Sequence, residues 1–475
     1  MSELNKKLAT NTLWQIIGKG LGTALSLVTF IFLLKYLHTE GLGALSIALT
    51  YGSIFAIIVD FGLTLTTAQM IAEPNANENR ILSGILSFRV LSAFLFLGLG
   101  ALLVFLFPYS PDVKLAAVIS CASFFFGSVA SMFAGVFQKR LAVHYVVIAE
   151  TLNRSLVFVL AALLPLLQPS IIIAAGIFVA GSIVQLTITF YAVLKFSHVR
   201  PKIDLTIWRT AITRTWPIGL STIFNLVYLK GDVFFMSLLH VSNHDLGLYA
   251  AAYKFVDVVT TIPVMFMGLM LPLLTLAWTS HNKVDFKAHL QRGFDGLMLL
   301  AMPYAFGAIA LGGPLLALID PDLFPGGRVL ALLGPATAAV FISALFGHTI
   351  VAIHKQRPMI LGYLFVAIVA TIGYVYGITH FGMIAAAWVT LISESLIAII
   401  TASVVLLTTK IKLSLKKLCA ALLASLAMYL AITLIPLPHV ILSIIFGIAV
   451  YVTVLPLFGG PNPKQLLQLV SPAKL

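Results

Sequence analysis

The stretch LGLYAAAYKFVDVVTTIPVMF, residues 246–266, decides how the rest of the chain is read. It is long and apolar enough to cross a bilayer, which takes about 20 residues of helix. Yet it carries Lys254 and Asp257 well inside. A charged side chain at mid-membrane costs about 2.5–3.5 kcal/mol on insertion scales, so charges in such a place point to a site or an ion pair.

The apolar character extends in both directions. Of 475 residues, 60% are hydrophobic and only 9% charged, and the mean hydropathy is +1.06. A soluble chain of this composition would expose large apolar patches. The expected class is an all-α polytopic membrane protein. Apolar runs between charged, Pro- or Gly-bearing breaks predict about 14 spans: 9–36, 41–71, 81–107, 113–138, 142–166, 170–195, 212–239, 246–277, 290–318, 327–353, 359–379, 383–408, 416–436 and 438–458. The faintest breaks are Gln168–Pro169 and Pro436–His439, so 12 or 13 spans stay open. The first apolar run is too long for a cleaved signal peptide and is followed at once by another. Cys121 and Cys419 both fall in apolar spans, where buried packing is expected and no disulfide or metal site.

The basic residues orient the chain. With the N-terminus inside, the outer connections hold only Lys35, Lys114 and Arg328 of the 29 Lys and Arg, and Lys19, Arg154, Lys230 and Lys254 fall within spans. The others, Arg89 among them, collect on inner connections and flanks. Short loops rich in Lys and Arg stay in the cytoplasm, so both termini are expected there. The net charge of +13 is then an orientation signal, with some attraction to anionic membrane lipids, and needs no nucleic-acid partner.

Two halves are visible. The polar stretch KFSHVRPKIDLTIWRTAITR, residues 195–214, follows the sixth span and reads as a cytoplasmic linker with an amphipathic piece on the membrane. LLKYLHTEGLGALSIALTYGSIFAIIVD (33–60) is similar to LLHVSNHDLGLYAAAYKFVDVVTTIP (238–263). In each a span ends, a short acidic turn follows, and Leu-Gly opens the next helix. An even number of spans per half implies parallel repeats about an axis along the membrane normal, with a substrate site expected in the cleft between them.

The polar residues inside spans are the candidate site. Asn11, Gln15, Lys19, Gly22 and Ser26 form one stripe on the first span. Helix packing alone accounts for Gly and Ser, but Lys19 near mid-depth is poor glue. On the eighth span Lys254, Asp257 and Thr261 share a face; on the seventh, Ser221, Asn225 and Asp232 do, with Lys230 pointing elsewhere. Mutual neutralisation of Lys254 by Asp232 or Asp257 is the structural alternative. Glu150 and Arg154 stand at i, i+4, a spacing that permits an intrahelical pair. Asp60 has Thr64 and Thr67 on its face, and Glu394 has Thr390 one turn before it. Asp60, Asp232, Asp257 and Glu394 are the candidates for holding a coupling H+ or Na+ ion, Glu394 equally a neutral structural acid. Lys19, Arg154 and Lys254 can line a shared cavity that attracts phosphate or pyrophosphate.

NTLWQIIGKGLG (11–22), GLGALSIALTYGSIFAIIVDFGL (41–63), WPIGLSTIFNLVYLKGDVFF (216–235) and LGLYAAAYKFVDVVTTIPVMFMGLMLPLLT (246–275) look like the polysaccharide biosynthesis (Wzx-type) lipid-linked oligosaccharide flippases. These belong to the multidrug/oligosaccharidyl-lipid/polysaccharide exporter superfamily. The resemblance implies two six-helix bundles in a V, residues 1–200 and 201–410, and two extra helices with a tail in 411–475. It implies alternating-access movement of an undecaprenyl-pyrophosphate-linked oligosaccharide across a bacterial inner membrane, by a monomer working beside polysaccharide polymerase machinery. Lys19 and Lys254 match cationic cavity positions of such flippases, with Arg154, Gln15 and Asn225 as further substrate-binding candidates.

Two rivals stay open. An ion-coupled multidrug or cation exporter of the same superfamily would want a net acidic cavity, against which the three cations count. A membrane glycosyltransferase or polymerase could use the Asp320–Asp322 pair, but it falls in an outer turn away from nucleotide sugars. GKGLG at 18–22 lies mid-helix without a preceding strand and is no phosphate loop. No catalytic residue, cofactor or metal is expected.

Overall fold

A computed structural model describes residues 3–462 apart from 75 and 357, and all their side chains but those of 3–10, 12, 13, 217, 218, 221, 225, 228 and 229. Nearly all of it is helix: α1 (Glu3–Asp60), α2 (Leu63–Ala72), α3 (Glu78–Leu103), α4 (Pro111–Ser131), α5 (Ala134–Lys139), α6 (His144–Leu163), α7 (Ile171–Val193), α8 (Leu205–Leu238), α9 (Asn243–Thr279), α10 (Lys283–Ala317), α11 (Gly327–Ala352), α12 (Met359–Thr409), α13 (Lys416–Leu434) and α14 (Val440–Val454). Eleven helical segments among the described residues are long and apolar enough to cross a membrane, and the chain is a multi-pass integral membrane protein.

The breaks are where turn chemistry puts them. α1 is interrupted at His38 (φ 57°, ψ 179°), between the first two expected spans. α12 is interrupted at Gly382 (φ 59°, ψ −142°), a conformation only glycine adopts freely. Both faint breaks are real: α6 ends before Pro169 and α13 before Pro436, so each proline lies in a connection. The second expected span is not one helix. It breaks at Phe61 and Gly62, both at positive φ, before α2 resumes. Nor does α8 wait until 212; it starts at Leu205, capped by the Asp204 carboxylate accepting from Thr206 and Ile207 N–H. Cys121 is buried as expected, but Cys419 is exposed in the first turn of α13.

The chain divides into two compact units, up to Gly247 and from Leu248. In the first, α4 packs on α1, α3 and α7, and α6 on α1 and α7, around Leu45, Ala48, Tyr51, Ala117 and Ala174. A second cluster in the same unit is built on Ile85, Phe133, Phe137 and Val193. α8 packs on α1, α2 and α3 within this same unit. In the second unit α10 lies between α11 and α13, and α11 packs on α12, around Phe286, Leu297, Phe341, Val405 and Met428.

The 195–204 connection is stitched to the start of α3. Arg200 N–H donates to Ser83 Oγ, Ser87 Oγ to the Lys202 carbonyl, His198 N–H to Asn79 Oδ1 and Trp208 Nε1 to the Gly84 carbonyl. Glu78 accepts from Ser197, Lys139 and Arg140, and Arg80 pairs with Asp204 at 2.7 Å. The hydrogen bond and charge of Arg80 hold the Asp204 carboxyl below the usual carboxylate range.

The two similar turns touch each other. A Cβ on Gly43 would lie 1.8 Å from the Asn243 carbonyl oxygen, and one on Gly247 would lie 2.0 Å from that of Thr39. Each glycine therefore meets the carbonyl four residues before the other, and the contact is reciprocal. No side chain fits there. His38 and His240, both in the left-handed region at φ 57° and 60°, stand at the two helix breaks beside it.

Two outcomes follow from this packing. Gly43→Ala and Gly247→Ala are each expected to cost about 3 kcal/mol, the upper end for overpacking, in thermal unfolding of the purified protein. Gly98→Ala, which meets nothing within 4 Å, should instead be neutral or slightly stabilising. For the Arg80–Asp204 pair the folded carboxyl pKa is depressed. Its stabilisation is present above the unfolded pKa and fades as pH falls through the folded one. Unfolding midpoints measured from neutral to acid pH should therefore fall less steeply at the acid end in Asp204→Asn than in the parent.

Candidate functional site

The polar stripe of α1 has two jobs. Asn11 is buried, donating from Nδ2 to the Leu141 carbonyl at 2.5 Å and accepting from Val143 N–H at 3.1 Å. It thereby satisfies the α5–α6 turn, where Leu141 has a φ of 52°. A Cβ on Gly18 would lie 2.3 Å from Val147 Cγ1, and one on Gly22 3.1 Å from Arg154 Cδ. At about 100° per residue, Asn11, Gly18 and Gly22 fall within about 40° of one another. That edge packs on α6. Gln15 and Lys19 lie further round and are exposed.

Arg154 of α6 sends Nη1 across this seam to the Gly22 carbonyl, 2.7 Å away. Glycine at 22 lets the guanidinium lie against the helix backbone. Glu150 lies within electrostatic reach of both Arg154 and Lys19. The first unit thus brings together two cations and one carboxylate beside a seam of membrane-crossing helices, while Gln15 lies exposed on α1.

Asp60 belongs to a different network. Arg89 of α3, which its sequence position groups with the inner flanks, is fully buried. Its Nη2 donates to Asp60 Oδ1 and to Thr64 Oγ1, both at 2.8 Å, and Nη1 to the Val59 carbonyl at 3.2 Å. The Thr64 hydroxyl also donates to Asp60, whereas Thr67 turns to the Leu63 carbonyl. The guanidinium therefore caps the end of α1, where carbonyls lack partners and the helix dipole is negative. Asp60 also borders an apolar cavity of about 220 Å³ with Phe61, Phe96 and Ile212.

Of the α8 candidates, Asp232 is 2% exposed and accepts from Val233 N–H at 2.8 Å. The side chains of Asn225 and Ser221 lie outside the described residues.

The second unit holds Lys254, Asp257 and Glu394. Lys254 is half-buried and Asp257 exposed on α9, whose helix contains Pro263 and Pro272 further on. Glu394 is buried at 5% exposure. One turn before it, Thr390 donates to the Ala386 carbonyl, so its oxygen accepts from the Tyr249 and Tyr374 hydroxyls, each 3.3 Å away. Ser393 Oγ is buried without a hydrogen-bond partner, and Tyr363 is within electrostatic reach of Glu394. Glu394 thus lies one turn beyond a cluster of buried hydroxyls from α9 and both arms of α12.

Sequence reasoning missed Arg89, Glu78 and the tyrosines. Arg89 lies eleven residues into α3, deep enough to have been flagged as intramembrane had Glu78 been taken as the helix start. The tyrosines carry no such signal, because tyrosine is ordinary in apolar spans. Asp320 accepts from Asp322 N–H in a 3₁₀ turn and is a polar cap. No group of three or more His, Cys, Asp or Glu among the described residues could hold a metal ion.

With the geometry in hand, the family model described as polysaccharide biosynthesis protein matches residues 8–278. No curated protein sequence matches significantly. The fold is shared with solved structures at low identity. The lipid II flippase MurJ, in an inward closed conformation, is 15% identical with a TM-score of 0.79, over 95% of this chain and 98% of that one. An inward-facing multidrug resistance MATE transporter of the MOP superfamily is 14% identical with a TM-score of 0.65, over 82% and 94%. A MOP superfamily transporter from Pyrococcus furiosus, noted for reversed polarity of its binding pocket, is 14% identical with a TM-score of 0.60, over 84% and 95%.

The Asp60–Arg89 pair sets an asymmetry that thermal unfolding can read. Removing one partner of a buried pair costs about 3–5 kcal/mol, and here the Asp60 side chain is 38% exposed while that of Arg89 is wholly buried. Asp60→Leu strands a buried cation and should cost about 3 kcal/mol. Arg89→Met leaves a carboxyl that can hydrate or protonate and should cost less. The double variant should recover part of the Asp60→Leu loss; equal losses in both single variants would contradict the assignment.

Proposed function

We propose that this chain, which belongs to the polysaccharide biosynthesis protein family, is a flippase carrying an undecaprenyl-pyrophosphate-linked oligosaccharide from the cytoplasmic to the outer leaflet. The observation that carries this reading is the α1–α6 seam. Lys19 and Arg154 outnumber their one carboxylate, Glu150, and Lys19 is exposed on a membrane-crossing helix. Fixed cations in a poorly solvated site attract a pyrophosphate strongly. Lys254 supplies a third cation from the second half, with Gln15 and Asn225 as polar contacts to the headgroup. The bundles expected at 1–200 and 201–410, with 411–475 added, would alternate access to this site. Fourteen crossings result if each arm of α1 and of α12 crosses and α8 does too.

The cycle needs release as well as capture. Asp257, one turn beyond Lys254 along α9, keeps the ammonium charged when the site is empty and competes with phosphate when it is full. Glu394 is the foremost candidate for a coupling H+ or Na+, since it is buried, lies within electrostatic reach of the Tyr363 hydroxyl and follows an unpartnered serine in the chain. Asp232 and Asp257 follow. Asp60 is the least free to exchange its ion, because Arg89 already neutralises it. The setting is a bacterial inner membrane with both termini cytoplasmic, and the chain acts as a monomer beside the polymerase machinery.

An ion-coupled cation exporter is the second reading, favoured by the buried acids Glu394 and Asp232. The excess of cations on the α1–α6 seam weighs against it.

Lys254 decides between a substrate role and simple neutralisation. Lys254→Ala should abolish glycan export by intact cells while leaving membrane insertion and folding unchanged. Lys254→Arg should keep a fraction of export, since the charge persists while the geometry changes. Full recovery in Lys254→Gln combined with Asp257→Asn or Asp232→Asn would mean that the lysine only balances charge, and the proposed site would be wrong.

A further inference from the structure

A second cavity, of about 230 Å³, opens in the first unit beside the Gly43–Asn243 contact. In the orientation expected from the basic residues it faces the outer side. Its polar lining comes from Tyr109 and Ser110 in the α3–α4 turn, Ser237 near the end of α8, His240 in the α8–α9 turn and Asn243 at the start of α9, with Ile47 as part of its apolar floor. No Lys, Arg, Asp or Glu is among the described residues that line it.

The hydrogen bonds show what the lining can offer. Ser237 Oγ donates to the Phe234 carbonyl at 2.7 Å, so at 2.8 Å from Tyr109 it acts as acceptor. The Tyr109 hydroxyl proton is thereby committed, and its oxygen lone pairs remain for a ligand. Burial pushes the Tyr109 pKa up, so the phenol stays neutral. The Asn243 amide and Ser110 hydroxyl add donors and acceptors, and the Tyr109 ring, stacked at 18° on Phe107, adds an apolar face. The walls are rigid: the α8 end is closed by Val241 N–H on the Met236 carbonyl, and His240 is held at a φ of 60°.

A preformed cleft of hydroxyls, an amide and an aromatic ring, without fixed charge, does not suit a phosphate, a carboxylate or an amine. It suits a ring that presents alternating hydroxyl donors and acceptors above an apolar face. We infer that this cavity binds a neutral sugar ring, holding one residue of the glycan at the outer end of its path. The source of that sugar rests on the flippase reading above; the recognition chemistry does not. A sugar held here is drawn outward while the pyrophosphate still sits on the cations, which favours release to the outer side.

The test uses the full chain in lipid nanodiscs. Saturation-transfer NMR is recorded with free glucose, galactose, rhamnose and N-acetylglucosamine, and undecaprenyl pyrophosphate binding is measured in parallel. At least one sugar should receive saturation, unaffected by inorganic pyrophosphate. Tyr109→Phe and Asn243→Ala should each weaken it about fivefold or more, as expected for loss of hydrogen bonds to a neutral ligand. Ser110→Trp, at an exposed position whose side chain caps nothing, should block the mouth and abolish it, and it keeps the test decisive should Tyr109→Phe unfold. No transfer to any of the four sugars, or transfer unchanged in all three variants, overturns the inference. If undecaprenyl pyrophosphate still binds in that case, the flippase reading stands alone. Sugar binding lost in the variants without undecaprenyl pyrophosphate binding to the parent would uphold the cavity and remove the flippase reading.

Discussion

The reciprocal contact of Gly43 and Gly247 is the constraint on which the first unit depends. Two helix starts approach until each α-carbon faces the other's carbonyl, at a distance that would put any Cβ inside 2.1 Å. Backbone atoms cannot yield as a long side chain does, so the site admits glycine alone. Fixing that contact fixes the α8–α9 turn against the second arm of α1, and the turn in turn builds the walls of the outer cavity. α8 packs with α1, α2 and α3 in the first unit, while α9 starts in the first unit and continues into the second.

Charge inside the apolar spans is managed in two ways. Arg89 is sealed away completely, and its cost is offset by a carboxylate, a hydroxyl and the open carbonyl at the end of α1. Such a pair contributes little net stability but is expensive to break, which makes it a clamp on the bend at Phe61–Gly62. Arg154 is handled differently. It gives one N–H to a glycine carbonyl and keeps the rest of its donors, with Lys19, in an exposed position. The first arrangement can only hold structure. The second leaves positive charge available, and the proposed substrate contact rests on that difference.

The connection at 195–204 belongs with the first arrangement. Its backbone and side chains are spent on α3, and Glu78 gathers three donors there. These surface pairs are individually weak, yet together they leave the linker no freedom as a tether.

Much was legible in the sequence because it rests on local rules. Apolar runs of bilayer length located most of the helices, though not all of their starts, and the Leu-Gly repeat marked the two turns. Lys19, Arg154, Lys254 and Glu394 stood out because charge in an apolar run is rare whatever the fold. The tertiary structure alone decided which part of the α1 stripe is seam and which is exposed, since Asn11 and Lys19 share a face by periodicity and differ only in what α6 covers. It alone paired Asp60 with Arg89, 29 residues apart, and gathered Tyr249 and Tyr374 on Thr390, one turn before Glu394. It alone formed the second cavity, from two turns and the helix ends beside them, whose polar residues look like ordinary loop chemistry. Periodicity shows which faces a helix has. Which partner takes each face is settled by long-range packing, and no local pattern encodes that.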